Sequence, residues 1–278
     1  TGVYITSFVV PVRVGEKVNA SLSPPSQTVN LSIGETITTS VVISNDGNTP
    51  ATFAVALDTT NAGEIDFTLM TPTIVEIGAG FESTVRVGLK ANSGALAAAN
   101  YLATVLVTNA DSGISLSANI LGNISINNDM QFTAPASNAQ FGVKPGEVFT
   151  VDYTLINLGN LVENIIIETS VQDGWTVTPA NVALQLGVNE SRSDSFDVDV
   201  PALSDDDAME SGKVFTVWMN VTNQTTQELL TTHVFRLSVE PMFQVEVEGW
   251  PSTMDFLVGR DRNWDVTVKN TGNADVSV

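Results

Sequence analysis

The residue types that most often carry out catalysis are scarce in this chain. Its 278 residues include one histidine, His233, and no cysteine. A histidine-based hydrolytic triad would therefore depend on His233, and thiolate chemistry, disulfides and cysteine-ligated zinc are excluded. The sequence contains neither a Gly-x-Ser-x-Gly elbow nor a phosphate-binding glycine loop. We therefore expect the chain not to be an enzyme.

Carboxylates are abundant and supply the best candidates for ligand binding. The chain has 31 acidic and 11 basic residues, a formal net charge of −20. Many acids alternate with apolar residues, as at 197–199, which is typical of a solvated sheet face, although a glycosidase-like carboxylate pair stays open. The cluster Asp205, Asp206, Asp207 and Glu210 could wrap a calcium ion. It lacks the Asp-x-Asp-x-Asp-Gly spacing of a dedicated calcium loop, so a solvated acidic loop is the favoured interpretation.

Tryptophans and asparagines raise the question of carbohydrate. Among four tryptophans, Trp250 stands between a glycine and a proline, so we expect it to be exposed and name it as the candidate for stacking on a sugar. Six Asn-x-Ser/Thr sequons are candidate glycosylation sites: Asn19, Asn30, Asn123, Asn189, Asn220 and Asn223. A chain this rich in Asn, Ser and Thr would contain roughly four or five by chance. Their number alone therefore does not indicate glycosylation.

A repeated phrase shows how these residues are positioned. Asn-x-Gly-Asn occurs at 45–48, 157–160 and 270–273, at intervals of 112 and 113 residues. Such a period is typical of one β-sandwich domain. Each copy lies 11 residues after a glycine, and apolar residues alternate between the two, which predicts a strand with one face in the core. The residues of these core faces are Thr39, Val41 and Ile43; Val151, Tyr153 and Leu155; Trp264, Val266 and Val268.

The phrase itself has the composition of a turn. Gly supplies positive φ at little cost, and Asn hydrogen-bonds its own backbone, so we expect each copy to be the tight turn of a β-hairpin. The repeat also places His233 in register with Phe8 and Ile120. This alignment favours a structural strand residue over a catalytic base.

Short strand-like runs separated by turn residues predict antiparallel sandwiches. In the first complete module the runs are 36–45, 51–58, 65–70, 73–78, 83–90, 100–109 and 114–126. We expect residues 1–15 to be the last strand of a preceding domain and residues 16–126 and 127–240 to be complete sandwiches. Residues 241–278 would begin a truncated third domain. The joints lack a Pro/Gly/Ser linker, which favours a stiff array.

Several turns and core positions resemble a known family. The second module has Gly174-Trp175-Thr176-Val177-Thr178-Pro179, then Gly187-Val188-Asn189-Glu190-Ser191, then an apolar alternation from Phe196 to Pro201. With its Asn-x-Gly-Asn copy it resembles the NEW3 and CARDB type of immunoglobulin-like repeat in prokaryotic surface and secreted proteins. The resemblance implies an all-β fold of tandem immunoglobulin-like antiparallel β-sandwiches in a rod-like array.

The same resemblance implies a non-enzymatic structural or adhesion segment of an extracellular, cell-surface protein. Such a segment would act as a stalk or assemble into a surface layer or filament. The alternative is an accessory region of a secreted hydrolase that binds carbohydrate or protein. Expected partners are other domains of the array, further copies of the chain, and surface proteins or glycans. The acidic surface argues against nucleic acid, and no apolar stretch reaches the ~18 residues of a transmembrane helix.

Overall fold

The computed structural model describes residues 7–97, 99–203, 209–249, 253, 258–259, 261 and 263–277. Within this part of the chain there are 20 strands, one short 3-10 helix at Gln172–Gly174 and no α-helix. No helix among these residues has the length and apolar character needed to cross a bilayer. The chain divides into two compact units, Thr1–Asn127 and Asn128–Val278.

The first unit contains nine strands in two sheets. The strands are β1 (Ala20–Ser23), β2 (Ser26–Leu31), β3 (Thr36–Asn45), β4 (Ala51–Asn61), β5 (Ile65–Leu69), β6 (Ile74–Ile77), β7 (Glu82–Ala91), β8 (Tyr101–Asn109) and β9 (Ile114–Ile124). One sheet has the order β1-β3-β7-β5 and the other β2-β9-β8-β4-β6. All neighbours are antiparallel except β2 and β9, which are parallel.

The second unit repeats this plan. Its strands are β10 (Met130–Ala134), β11 (Gln140–Val143), β12 (Val148–Asn157), β13 (Glu163–Val171), β14 (Thr176–Thr178), β15 (Asn181–Leu186), β16 (Ser191–Asp199), β17 (Val214–Asn223) and β18 (Leu229–Val239). The sheets are β10-β12-β16-β14 and β11-β18-β17-β13-β15, and β11 lies parallel to β18. This order and pairing are those of the first unit, strand for strand.

A pair of strands follows β18. They are β19 (Val245–Glu248) and β20 (Thr267–Asn270), and they form a two-stranded antiparallel sheet. In all three copies the first residue of the first strand pairs with the first asparagine of Asn-x-Gly-Asn. The pairs are Ala20 with Asn45, Met130 with Asn157, and Val245 with Asn270. The strand pair therefore reproduces the start of the nine-strand plan.

The core of each sandwich lies between its two sheets. Val41 and Ile43 are completely buried, as are the large side chains Phe53, Phe215 and Phe235. Alternation along the strands places these residues inward, and burial of their apolar surface is the main stabilising term. Each unit thus contains a β-sandwich, antiparallel apart from one pair of strands, with the two-sheet order of the immunoglobulin fold, and the predicted fold class is confirmed.

The prediction that Val266 and Val268 of the third copy lie in a core is wrong. Val266 is 36% and Val268 44% exposed. Strand β20 pairs only with β19 among the described residues, and no second sheet covers this face. The alternation is the same as in the other copies, but burial also requires an opposing layer.

The hairpin predicted at Asn-x-Gly-Asn is also wrong. Strands β3 and β4, which flank the first copy, lie in opposite sheets, and β12 and β13 do the same in the second unit. The phrase therefore carries the chain from one sheet to the other. Positive φ occurs instead at the upstream glycines, at +79° for Gly34, +80° for Gly146 and +82° for Gly259.

Candidate functional site

The first asparagine of the phrase is a buried structural residue. In the first unit Asn45 Oδ1 accepts the Gly47 N–H at 3.0 Å, and Asn45 Nδ2 donates to the carbonyls of Thr49 and Ile77, both at 2.9 Å. The corresponding partners of Asn157 are Gly159, Leu161 and Leu186. Burial of an amide is tolerated because these bonds replace water. The side chain ties the crossing turn to the edge strand β6 or to its counterpart β15.

The last asparagine of the phrase holds the segment that enters each domain. Asn48 Oδ1 accepts the Lys17 N–H at 2.7 Å, and Asn48 Nδ2 donates to the Gly15 carbonyl at 2.9 Å. The backbone N–H of Asn48 donates to the Lys17 carbonyl at 3.0 Å. Asn273 makes the same three bonds with Met242 and Glu240.

The glycine of the phrase is required by close backbone approach. A Cβ at Gly47 would collide with the Lys17 carbonyl oxygen, and a Cβ at Gly272 would collide with that of Met242. Only glycine leaves room for a second backbone at this distance. The glycine and the last asparagine of Asn-x-Gly-Asn therefore serve the contact between the crossing turn and the entering segment, whereas the first asparagine ties the turn to the edge strand.

Four of the six predicted glycosylation sites make side-chain hydrogen bonds. Asn30 and Asn123 are opposite each other on β2 and β9, and Asn123 Nδ2 donates to Asn30 Oδ1 at 2.8 Å. Asn220 Oδ1 accepts from Thr232 Oγ1 at 2.9 Å. Asn19 and Asn189 are exposed and make no side-chain hydrogen bond within the described residues. Glycosylation of these residues stays a prediction.

The sixth sequon asparagine, Asn223, forms the turn of the β17–β18 hairpin. Its Oδ1 accepts the N–H groups of Thr225 and Thr226, both at 2.8 Å, and its Nδ2 donates to the buried Glu163 at 2.6 Å. Asn109 has the corresponding role in the first unit. Sequence reasoning missed this pair, although both asparagines end an apolar alternation and lie 114 residues apart.

The predicted calcium and sugar sites fall largely outside the structure. Asp205, Asp206, Asp207 and Trp250 lie outside the described residues. Glu210 is described and exposed, and its carbonyl accepts the Lys213 N–H at 3.1 Å. Elsewhere in the described ranges no group of three or more His, Asp or Glu side chains could hold a metal ion. Calcium at the acidic cluster and a glycan at Trp250 therefore remain predictions.

His233 lies in the core of the second unit, on β18. It is 6% exposed, its ring centroid is 5.0 Å from that of Phe132, and its Nε2 has no hydrogen-bond partner within the described residues. Burial lowers the pKa of His233, and a hydrogen bond to the Pro135 backbone opposes that shift. A neutral, packed imidazole agrees with the structural role that the repeat predicted.

The solved structures that match this chain do so at low sequence identity and low TM-score. No family model matches the sequence, and no curated protein matches it. A protein of unknown function from Porphyromonas gingivalis W83 is 8% identical, with 79% of this chain and 99% of that chain covered and a TM-score of 0.32. The titin domains z1z2, solved with telethonin, are 11% identical over 82% and 98%, with a TM-score of 0.35. A CARDB domain from Pyrococcus furiosus, solved with di-metal ions, is 13% identical over 41% and 88%, with a TM-score of 0.29.

Proposed function

We propose that this chain is a non-enzymatic structural segment of an extracellular surface protein, in which tandem immunoglobulin-like domains act as a stalk that resists tension. The observation that carries the proposal is the parallel pairing of β2 with β9 and of β11 with β18. In each sandwich the first strand of the pair comes early in the domain's sequence and the second is its last strand. A pull on the chain is applied at these two ends of the sequence.

The parallel pairing determines how such a pull acts. The chain enters the domain before β2 and leaves it after β9, so tension drags the two parallel strands in opposite directions along their common axis. The hydrogen bonds between them are then loaded together, whereas strands pulled apart from one end lose their bonds one at a time. Strand β1 has only four paired residues and precedes β2, so the β2–β9 pair still holds after β1 detaches.

The ladder is continuous in both units. Six residues of β2 pair with 119–124, and the Asn119 N–H to Pro25 carbonyl bond and the Ser125 N–H to Leu31 carbonyl bond extend the ladder at 3.0 and 2.8 Å. Four residues of β11 pair with 236–239, and the Glu240 N–H extends this ladder to the Val143 carbonyl at 2.8 Å. Both domains are therefore suited to load along the chain.

Composition and resemblance support the proposed location. A net charge of −20 keeps a surface-exposed segment soluble and separated from like-charged neighbours. The resemblance to NEW3 and CARDB repeats supports an origin in a prokaryotic surface or secreted protein. Partners in this proposal are other domains of the array and further copies of the chain in a surface layer or filament.

Stretching of single molecules from their two ends tests the proposal with a matched pair of variants. The flanking bonds show that the odd-numbered residues of β2 bond to β9, since bonds recur at every second residue of a parallel ladder. Val29→Pro should remove one ladder bond, whereas Thr28→Pro changes an exposed residue with its N–H outside the ladder. We expect two unfolding events, one of which moves to lower force in Val29→Pro and neither of which moves in Thr28→Pro. Equal forces in both variants would refute the role of the ladder.

A further inference from the structure

The phrase at 270–273 lies beside the joint between the second sandwich and the strand pair β19–β20. Strand β18 ends at Val239 and β19 begins at Val245. Asn273 accepts from the Met242 N–H at 2.5 Å and donates to the Glu240 carbonyl at 3.0 Å, so it is bonded to the start and the middle of the connecting segment. Its own N–H donates to the Met242 carbonyl at 3.0 Å.

Two further bonds join Asn273 to the body of the second sandwich. Asn273 Nδ2 donates to the Met209 carbonyl at 2.9 Å, and the Ser211 N–H donates to the Asn273 carbonyl at 3.0 Å. Met209 is 2% exposed and packs in the core of that sandwich. One residue, three positions after the end of β20, is thus bonded both to the connecting segment and to the domain before it.

The loop that receives Asn273 is itself held in place. Glu210 to Lys213 form a turn closed by the Lys213 N–H to Glu210 carbonyl bond at 3.1 Å, with Gly212 at a φ of +83°. Positive φ at the third residue is the mark of a type II turn. The Gly212 N–H also donates to the Val239 carbonyl at 2.9 Å, which fixes the turn to the end of β18.

We propose that the last asparagine of Asn-x-Gly-Asn is a docking site for the 209–211 loop of the preceding immunoglobulin-like domain, and that this contact sets the orientation between successive domains. The site takes one backbone carbonyl and one backbone N–H from the loop. Asn48 makes the same side-chain bonds to its own entering segment as Asn273 does, at the same separations in sequence, 33 residues from Gly15 and 31 from Lys17. It therefore presents the same site to the corresponding loop of another domain of this kind. The inference rests on the tandem arrangement in the proposed function and is independent of its resistance to tension.

Distance measurements between two nitroxide labels test the docking in the full chain. The chain has no cysteine, so Glu168→Cys and Lys269→Cys, both exposed, give a unique pair across the joint. Asn273→Ala removes three of the five hydrogen bonds that Asn273 makes at the joint, and we expect the distance distribution to become at least about twofold broader. Asn263→Ala is the matched control, since Asn263 is exposed and makes no side-chain hydrogen bond within the described residues.

A second variant tests the docking of the 209–211 loop on Asn273 if Asn273→Ala disturbs the folding of β19 and β20. Ser211→Pro removes the N–H that donates to Asn273 and leaves the strand pair unaltered, and proline suits the second position of a type II turn. A broadened distribution in Ser211→Pro supports the docking site. An unchanged distribution in Ser211→Pro overturns it, whatever Asn273→Ala shows. The unfolding force of each domain, which tests the proposed function, does not enter this experiment.

Discussion

Asn157 illustrates how one buried side chain can organise a domain. It is fully buried, and its amide satisfies one N–H and two carbonyl groups of the backbone around it. A buried polar group is costly when unpaired, so its partners depend on it as much as it depends on them. The same residue in an exposed loop would contribute little.

Asn157→Ala should lower the free energy of unfolding of the second unit by about 2 to 3 kcal/mol, because it leaves buried backbone groups without partners. All four tryptophans follow residue 127, so tryptophan fluorescence in urea reports only on the second unit. Asn181→Ala is the matched control at an exposed position and should stay within about 0.5 kcal/mol of the parent. Equal losses in the two variants would contradict this assignment.

His233 should make the second unit less stable in mild acid. Burial lowers the pKa of His233 below its ordinary value, so the unfolded chain binds the proton first as the pH falls. Stability is therefore lost as the pH decreases below about 6.5. His233→Phe should remove this loss, which is measured as the difference between the variant and parent unfolding free energies from about pH 7 to pH 5. Parallel pH profiles for the two proteins would disprove the prediction.

Residue identities allowed part of this site to be predicted. Recurrence marked Asn45, Gly47 and Asn48 as structural, and that interpretation agrees with their hydrogen bonds. The prediction of a hairpin was wrong because a glycine between asparagines can be required for either of two physical reasons, a positive φ or the close approach of another backbone. Local sequence cannot distinguish them, since the approaching backbone at Lys17 is 30 residues away in the chain.

At the scale of elements, the strands with strong alternation were predicted well, whereas two of the four edge strands of the first unit, β1 and β2, were missed. The run 36–45 coincides with β3, and 114–126 differs from β9 by two residues at its end. Strands β1 and β2 were missed because Pro24 and Pro25 separate two short polar segments, and such a pattern is typical of a loop. Their pairing depends on partners at β3 and β9, which are distant in sequence.

Gly47→Ala tests the element contact between the crossing turn and the entering segment. A Cβ at this position meets the Lys17 carbonyl, so either the turn or the segment must move. We expect the first unit to lose about 1 to 3 kcal/mol, the usual cost of overpacking. Gly15→Ala is the control, because a Cβ there has no atom within 4 Å and the residue has no positive φ. Calorimetric melting of both variants makes the comparison, and equal melting temperatures would rule out the close approach.

At the scale of the whole molecule, charge opposes compactness. A net charge of −20 repels itself more strongly in the folded chain than in the expanded one. Raising sodium chloride from about 10 mM to about 150 mM shortens the screening length from about 30 Å to about 8 Å, so the melting temperature should rise. A melting temperature that falls or stays constant over this range would contradict a folded state destabilised by its excess of acidic residues.

If each domain resists tension along the chain through its parallel strand pair, its unfolding force must depend on the direction of pulling. Cysteine handles at Glu16 and Ile126, both exposed, load β2 and β9 in shear. Handles at Ser32 and Ile126 load the same pair from one end, so its bonds break in succession. We expect an unfolding force at least about twofold higher for the first pair of handles, because the ladder bonds share the load. Equal forces in the two directions would contradict it.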